Sequence, residues 1–143
     1  AVNGRLHRCP QGLIGRIFRI YVKNMLTDRT KLGLEAEEAA CRWLTEEGYR
    51  ILDRNWRRPW GELDIVADRN GVVSFVEVKA SSRRQTGFDP FLRADGRKMH
   101  KVKRTAQTWL SSHRYGPETE WQMDIISVIM DPRGPQFEHF ENI

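Results

Sequence analysis

Three acidic residues and a lysine stand where hydrolytic chemistry would want them: Glu37, Asp64, Glu77 and Lys79. Asp64 interrupts the apolar run Leu63-Asp64-Ile65-Val66-Ala67, and Glu77-Val78-Lys79 follows a second run, Val72-Val73-Ser74-Phe75-Val76, with Asn70-Gly71 between the two. Side chains directly opposed on paired strands lie about 5 Å apart, and two carboxylates that close repel each other unless a proton or a cation intervenes. Mg²⁺ or Mn²⁺ removes that repulsion, because these ions take oxygen ligands and commonly share one or two carboxylates with substrate phosphates. Lys79, one step along the face of Glu77, is placed to orient or deprotonate a water, or to neutralise charge developing on a phosphate. The tripeptide Glu-x-Lys by itself carries no weight in a chain with 30% charged residues. The competing reading is a plain ion pair of Lys79 with Glu62 or Asp64 on a solvent-facing sheet. Val73 and Phe75 share that face with Glu77 and Lys79, which argues for cover rather than solvent.

The elements that must position these groups follow from local pattern. Asn70-Gly71 is a strong two-residue hairpin signal, so strands are expected at 62–68 and 72–80, with Arg69 facing Val72, Asp64 across from Glu77, and Glu62 across from Lys79. Upstream, Thr27, Asp28 or Thr30 can cap a helix that ends before Gly48. Its expected apolar stripe is Leu34, Ala40, Cys41 and Leu44, with the Glu37 carboxylate toward the core side and Glu38 and Arg42 as an exposed i,i+4 pair. Residues 49–56 read as a strand and Pro59 as a turn. Residues 81–97 read as a long basic loop, the kind that is often functional inside a compact domain. A helix over 98–113 should turn Met99, Val102, Ala106, Trp109 and Leu110 inward and Lys98, Lys101, Lys103 and Arg104 outward. A strand at 121–130, a turn through Pro132 to Pro135, and a short strand at 137–140 complete the chain. That order of elements predicts an α/β fold, a mixed sheet of about four to five strands between helices.

The chain has 143 residues and a net charge of +5, enough length for one domain with a buried core, over residues 27–143. Charge is unevenly spread. Residues 1–31 hold seven basic and one acidic residue, and residues 79–104 hold nine and two. Between them, residues 32–78 hold six basic and ten acidic residues. Basic blocks around an acidic one suit a polyanion held by cations while carboxylates act beside it, although Lys and Arg also serve simply to solvate helix faces. No apolar stretch approaches the roughly 20 residues that span a bilayer. The nearest, 13–26, is broken by Arg16, Arg19 and Lys23 and reads as a basic amphipathic helix within an N-terminal extension of residues 1–26. Such a helix can lie on a membrane, dock on the domain, or pair with a second copy. Cys9 and Cys41 show neither disulfide-framework nor zinc-ligand spacing, as expected for reduced thiols in a cytoplasmic protein.

Glu37, Asp64 and Glu77-Val78-Lys79 together resemble the PD-(D/E)xK nuclease core. A longer set of stretches is similar to the YraN-type family of small bacterial proteins: Gly33–Leu44 (GLEAEEAACRWL), Gly48–Asn55 (GYRILDRN), Gly61–Ala67 (GELDIVA) and Phe75–Lys79 (FVEVK). The likeness covers about residues 30–143. It implies a restriction-endonuclease-like fold related to archaeal Holliday-junction resolvases. It also implies a site in which Asp64 and Glu77 bind Mg²⁺ or Mn²⁺, Glu37 supports the metal and Lys79 assists catalysis. Lys98 matches a family lysine. The chain departs from the family's pattern at Ala36, Ser81 and Gln122, and Asp124 reads as structural, or as a support to the site's own residues, rather than as a direct participant.

Three function classes follow. One is a metal-dependent endonuclease acting on DNA, with branched DNA among its candidate substrates. The backbone would be held by the basic loop and helix, through Arg83, Arg84, Lys98, Lys101 and Arg104. Another is a nucleic-acid-binding module on the same scaffold with little activity. A metal-free interaction domain is a third. Symmetric cutting of a junction needs two sites, so the resemblance implies a homodimer.

Overall fold

The computed structural model describes residues 28–81 and 96–143. The N-terminal extension, Arg83, Arg84, most of the basic loop and the side chain of Lys98 lie outside the described residues. The described residues form seven elements in order: α1 (Asp28–Glu46), β1 (Arg50–Arg58), β2 (Gly61–Arg69), β3 (Val72–Ser81), α2 (Gly96–Ser112), β4 (Trp121–Asp131) and β5 (Gly134–Phe140). The strands form one sheet in chain order, β1-β2-β3-β4-β5. Only β3 and β4 run parallel, because α2 carries the chain back across the sheet between them. The result is the expected α/β, restriction-endonuclease-like mixed sheet.

Local chemistry sets the turns. Asn70 and Gly71 both take positive φ, 56° and 85°, the requirement of a type I′ hairpin, and Arg69 pairs with Val72 as the dipeptide predicts. Helix α1 ends on Gly48 at φ 87°, with the Tyr49 N–H donating to the Leu44 carbonyl to close a Schellman-type cap.

The sheet separates two cores. Ala36, Ala39, Ala40 and Leu44 of α1 pack against Ile65, Ala67, Val76, Ile126 and Val128. On the other face, Ala106, Trp109 and Leu110 of α2 pack against Val66, Val73 and Phe75. Alternation along β3 explains the division, since Val76 points to one helix and Phe75 to the other. The α2 face matches the sequence pattern, with Val102 half-buried and Lys101, Lys103 and Arg104 exposed. The α1 stripe does not match at one end. Leu34 is 44% exposed, because at 3.6 residues per turn it lies about 160° around the helix from Ala36. The alanines form the buried strip and let α1 sit close to the sheet. Glu38 does not follow the i,i+4 expectation with Arg42 either. It pairs instead with Arg54 of β1 at 3.0 Å.

Candidate metal centre

The centre is a fork in the sheet. The β2–β3 ladder runs from Arg69↔Val72 to Ile65↔Val76 and goes no further. Beyond it, β2 stays with β1 as far as Arg58↔Gly61, while β3 stays with β4 as far as Ser81↔Ile129. Asp64 is the residue that ends the ladder: its Oδ2 accepts the Val78 N–H at 2.9 Å, the bond a strand carbonyl would otherwise take. Expected as the cross-strand partner of Glu77, Asp64 has moved instead into the opening between strands. Core packing registers the same break, since Leu63 joins the α2-side core and Ile65, two residues on, the α1-side core.

A cavity of about 440 Å³ occupies the fork, lined by Glu37, Asp64, Glu77 and Lys79 together with Trp60, Glu62, Lys101 and Thr105. All four residues singled out at its heart by their spacing therefore converge, from α1, β2 and β3. The pairing of Glu62 with Lys79 is not formed. Glu62 lies beside Arg57, its ladder partner on β1, at 3.5 Å, and Lys79 Nζ donates to Glu77 Oε1 at 2.7 Å. Splaying of β2 from β3 carries Glu62 and Lys79 apart and leaves each to a neighbour on its own side of the fork.

Electrostatics disfavours the ionised carboxylates at the fork. Burial pushes the Asp64 carboxyl up to about 6; the Val78 N–H opposes the rise, and repulsion from Glu37, Glu77 and Glu62 adds to it. Glu37 is raised as well, chiefly by burial, with a hydrogen bond from Asn55 and the charge of Arg54 pulling it back. Its Oε2 is buried and accepts no hydrogen bond, the one side-chain atom in that condition among the described residues. A buried carboxylate oxygen without a donor is costly unless a cation meets it.

Asn55 is the contributor that sequence reasoning missed. The pairs Arg54↔Ile65 and Trp56↔Leu63 set it opposite Asp64 on β1, yet its φ is 51°, left-handed in mid-strand. Asparagine tolerates that conformation at a cost of about 1–2 kcal/mol, and here its amide reaches Glu37. The signals available beforehand were a left-handed-tolerant residue inside a strand pattern, which any surface turn would also give, and its place at the end of the family-like stretch Gly48–Asn55.

A second acidic group lies elsewhere. Asp124, His139 and Glu141 offer ligand atoms within 4.8 Å of one another. Asp124 is fully buried, and its oxygens accept from Gln122 Nε2 at 3.0 and 3.2 Å, the Asn142 N–H at 2.9 Å and His139 Nε2 at 3.1 Å. Burial alone would raise its pKa; those hydrogen bonds, led by His139, hold it below the ordinary carboxylate range. Glu141 accepts from Tyr49 Oη at 2.8 Å and from Arg69 at 2.9 Å. These interactions fit the structural role expected of Asp124.

Residues 36–128 match the model of the uncharacterised protein family UPF0102. The chain belongs to this family. A UPF0102 protein of Corynebacterium efficiens is 40% identical over 122 residues, 83% of this chain and 96% of that protein. One from Trichlorobacter lovleyi is 41% identical over 109 residues, 74% and 84% of the two chains. One from Thermotoga petrophila is 39% identical over 110 residues, 76% and 93%. The matched UPF0102 region contains all four residues of the fork and Asn55, and the family resemblance read from the motifs holds. Among the described residues no helix is long and apolar enough to cross a membrane.

Proposed function

We propose that this UPF0102 protein is a metal-dependent endonuclease that hydrolyses phosphodiester bonds of DNA, with its centre at the β2–β3 fork. The observation that carries the reading is the convergence of Glu37, Asp64 and Glu77 on one cavity in which Glu37 Oε2 is buried without a donor. The donor set is all oxygen, which suits Mg²⁺ or Mn²⁺ and not a soft metal. Asp64 and Glu77 would hold the ion, with Glu37 beside them. The chemistry such an ion supplies is polarisation of a phosphoryl oxygen and a lowered pKa for water.

The chain's own residues do the rest. Asp64 is fixed by the Val78 N–H, so its second oxygen has a set direction. The Lys79 ammonium spends one of its three donors on Glu77 and keeps cationic charge beside the cavity for a phosphate or an attacking water. Water adds to phosphorus, the bond to the leaving oxygen breaks, and that oxygen takes up a proton, giving a phosphomonoester and a hydroxyl. Lys101 and Arg104, exposed on α2, suit backbone phosphates and carry no sequence information.

The test is cleavage of plasmid and synthetic junction DNA with Mg²⁺ or Mn²⁺. Asp64→Ala and Lys79→Ala should abolish it while circular dichroism stays unchanged. Undiminished cleavage by purified Asp64→Ala would overturn the assignment. Salt-dependent DNA binding without cleavage in the unaltered protein would favour a binding module instead.

A further inference from the structure

Trp60 has no role in the chemistry above, yet it is one of two large apolar side chains left exposed among the described residues, at 38%. It stands in the β1–β2 turn on the rim of the fork cavity. The turn is held firmly. Pro59 fixes its own φ ahead of the ring. Gly61 lies so close to α2 that a Cβ there would collide with Thr105 Oγ1, which is itself tied to the Lys101 carbonyl. Arg104 places its guanidinium 5.3 Å from the Trp60 ring centroid, within cation–π range, and Lys101 lines the same cavity. Just before the turn, exposed Arg58 adds a further cation, lying over Trp56 at 3.9 Å.

A rigid, half-exposed indole among cations fits one kind of occupant well. Nucleobases have apolar faces and carry phosphates at fixed intervals, so an aromatic ring takes the base while neighbouring Arg and Lys take the backbone. Bases within a duplex are already stacked on both faces and give such a ring nothing to cover. We propose that Trp60, with Arg104, is a stacking site for an unpaired nucleobase at the mouth of the fork. On this inference, which rests on the nucleic-acid reading of the site, the preferred substrates carry single-stranded nucleotides beside the bond to be cut, as at flaps, gaps or opened junctions.

The experiment is fluorescence anisotropy of the full chain with a labelled 15-nucleotide single strand and with the same strand in a duplex, in chelator so that no cleavage occurs. Trp60→Ala should weaken binding to the single strand roughly 5- to 100-fold and to the duplex less than about twofold, with Trp60→Phe retaining most of the affinity. A second arm keeps the protein unaltered and replaces consecutive bases of the strand by abasic sites, which should lower affinity by a similar factor. A ribose strand run in parallel tells whether DNA or RNA is the better carrier of the base. Equal losses on single strand and duplex, or an abasic strand bound as tightly as the intact one, would overturn the stacking site. Because binding is read without metal, this outcome is separate from the Asp64→Ala cleavage result that judges the nuclease reading.

Discussion

Two groups of acidic residues in this molecule have opposite fates. The fold supplies both oxygens of Asp124 with donors: a glutamine amide, an imidazole and a backbone N–H, with one oxygen of Glu141 beside it served by Tyr49 and Arg69. At the fork, Asp64 accepts the Val78 N–H, Glu37 accepts from the Asn55 amide and Glu77 from Lys79, and one buried oxygen of Glu37 is left without a donor. Burial by itself would raise the pKa in both places. It does so at Asp64 and Glu37, whereas hydrogen bonding reverses it at Asp124. The contrast teaches that proximity of acidic groups is a poor guide to a cation site. What distinguishes the fork is the buried Glu37 oxygen that no protein donor meets, which a divalent ion would make good.

Exchanging Asp for Asn in each group should break the comparison most sharply in activity. Asp64→Asn is expected to lower Mn²⁺-dependent DNA cleavage by roughly a thousandfold or more, while Asp124→Asn, assayed well below its melting temperature, stays within about tenfold of the parent. Comparable losses from both would mean that the two groups are not functionally distinct.

Stability should move in the opposite sense. Asp124→Asn puts an NH₂ against groups that already donate, and should destabilise the protein by about 3 kcal/mol at pH 7.5 in chemical denaturation. The Asp124 carboxyl is depressed in the folded state, so its contribution is present above the unfolded value near 4 and is lost as pH falls through the lower folded value. The penalty of the substitution should therefore shrink below about pH 4. Asp64→Asn should stabilise the metal-free protein by about 2 kcal/mol at pH 7.5, because the ionised carboxyl is the disfavoured form there. A folded value near 6 above an unfolded one near 4 means that the gain fades as pH drops from 6 to 4, where Asp64 is neutral in either state. Excess Mn²⁺ should raise the melting temperature of the parent and leave that of Asp64→Asn where it was.

The smallest effect should come from Asn55→Gly. Glycine relieves the left-handed φ while removing the amide that holds Glu37, so stability should change by less than about 1 kcal/mol. Mn²⁺ affinity measured by calorimetry should nevertheless fall about tenfold, as for other groups that orient a ligand. Unchanged affinity would reduce Asn55 to a backbone accident.

The sequence by itself determined the element order, the Asn70-Gly71 hairpin with Arg69 facing Val72, the cap at Gly48 and the division of α2 into apolar and cationic faces. Each is a local preference, set by φ restrictions or by helix and strand period within a few residues. It also named Glu37, Asp64, Glu77 and Lys79 as one group. The tertiary structure alone decided that β2 and β3 part beside Asp64, so that Glu62 turns to Arg57 and Lys79 to Glu77, and that Leu34 faces away from the core. It also decided that Asn55 bends left-handed to reach Glu37, and that Asp124 is closed by donors from 122, 139 and 142. These outcomes turn on which distant groups compete for the same hydrogen bond or the same strip of buried surface. No single stretch of chain carries that information.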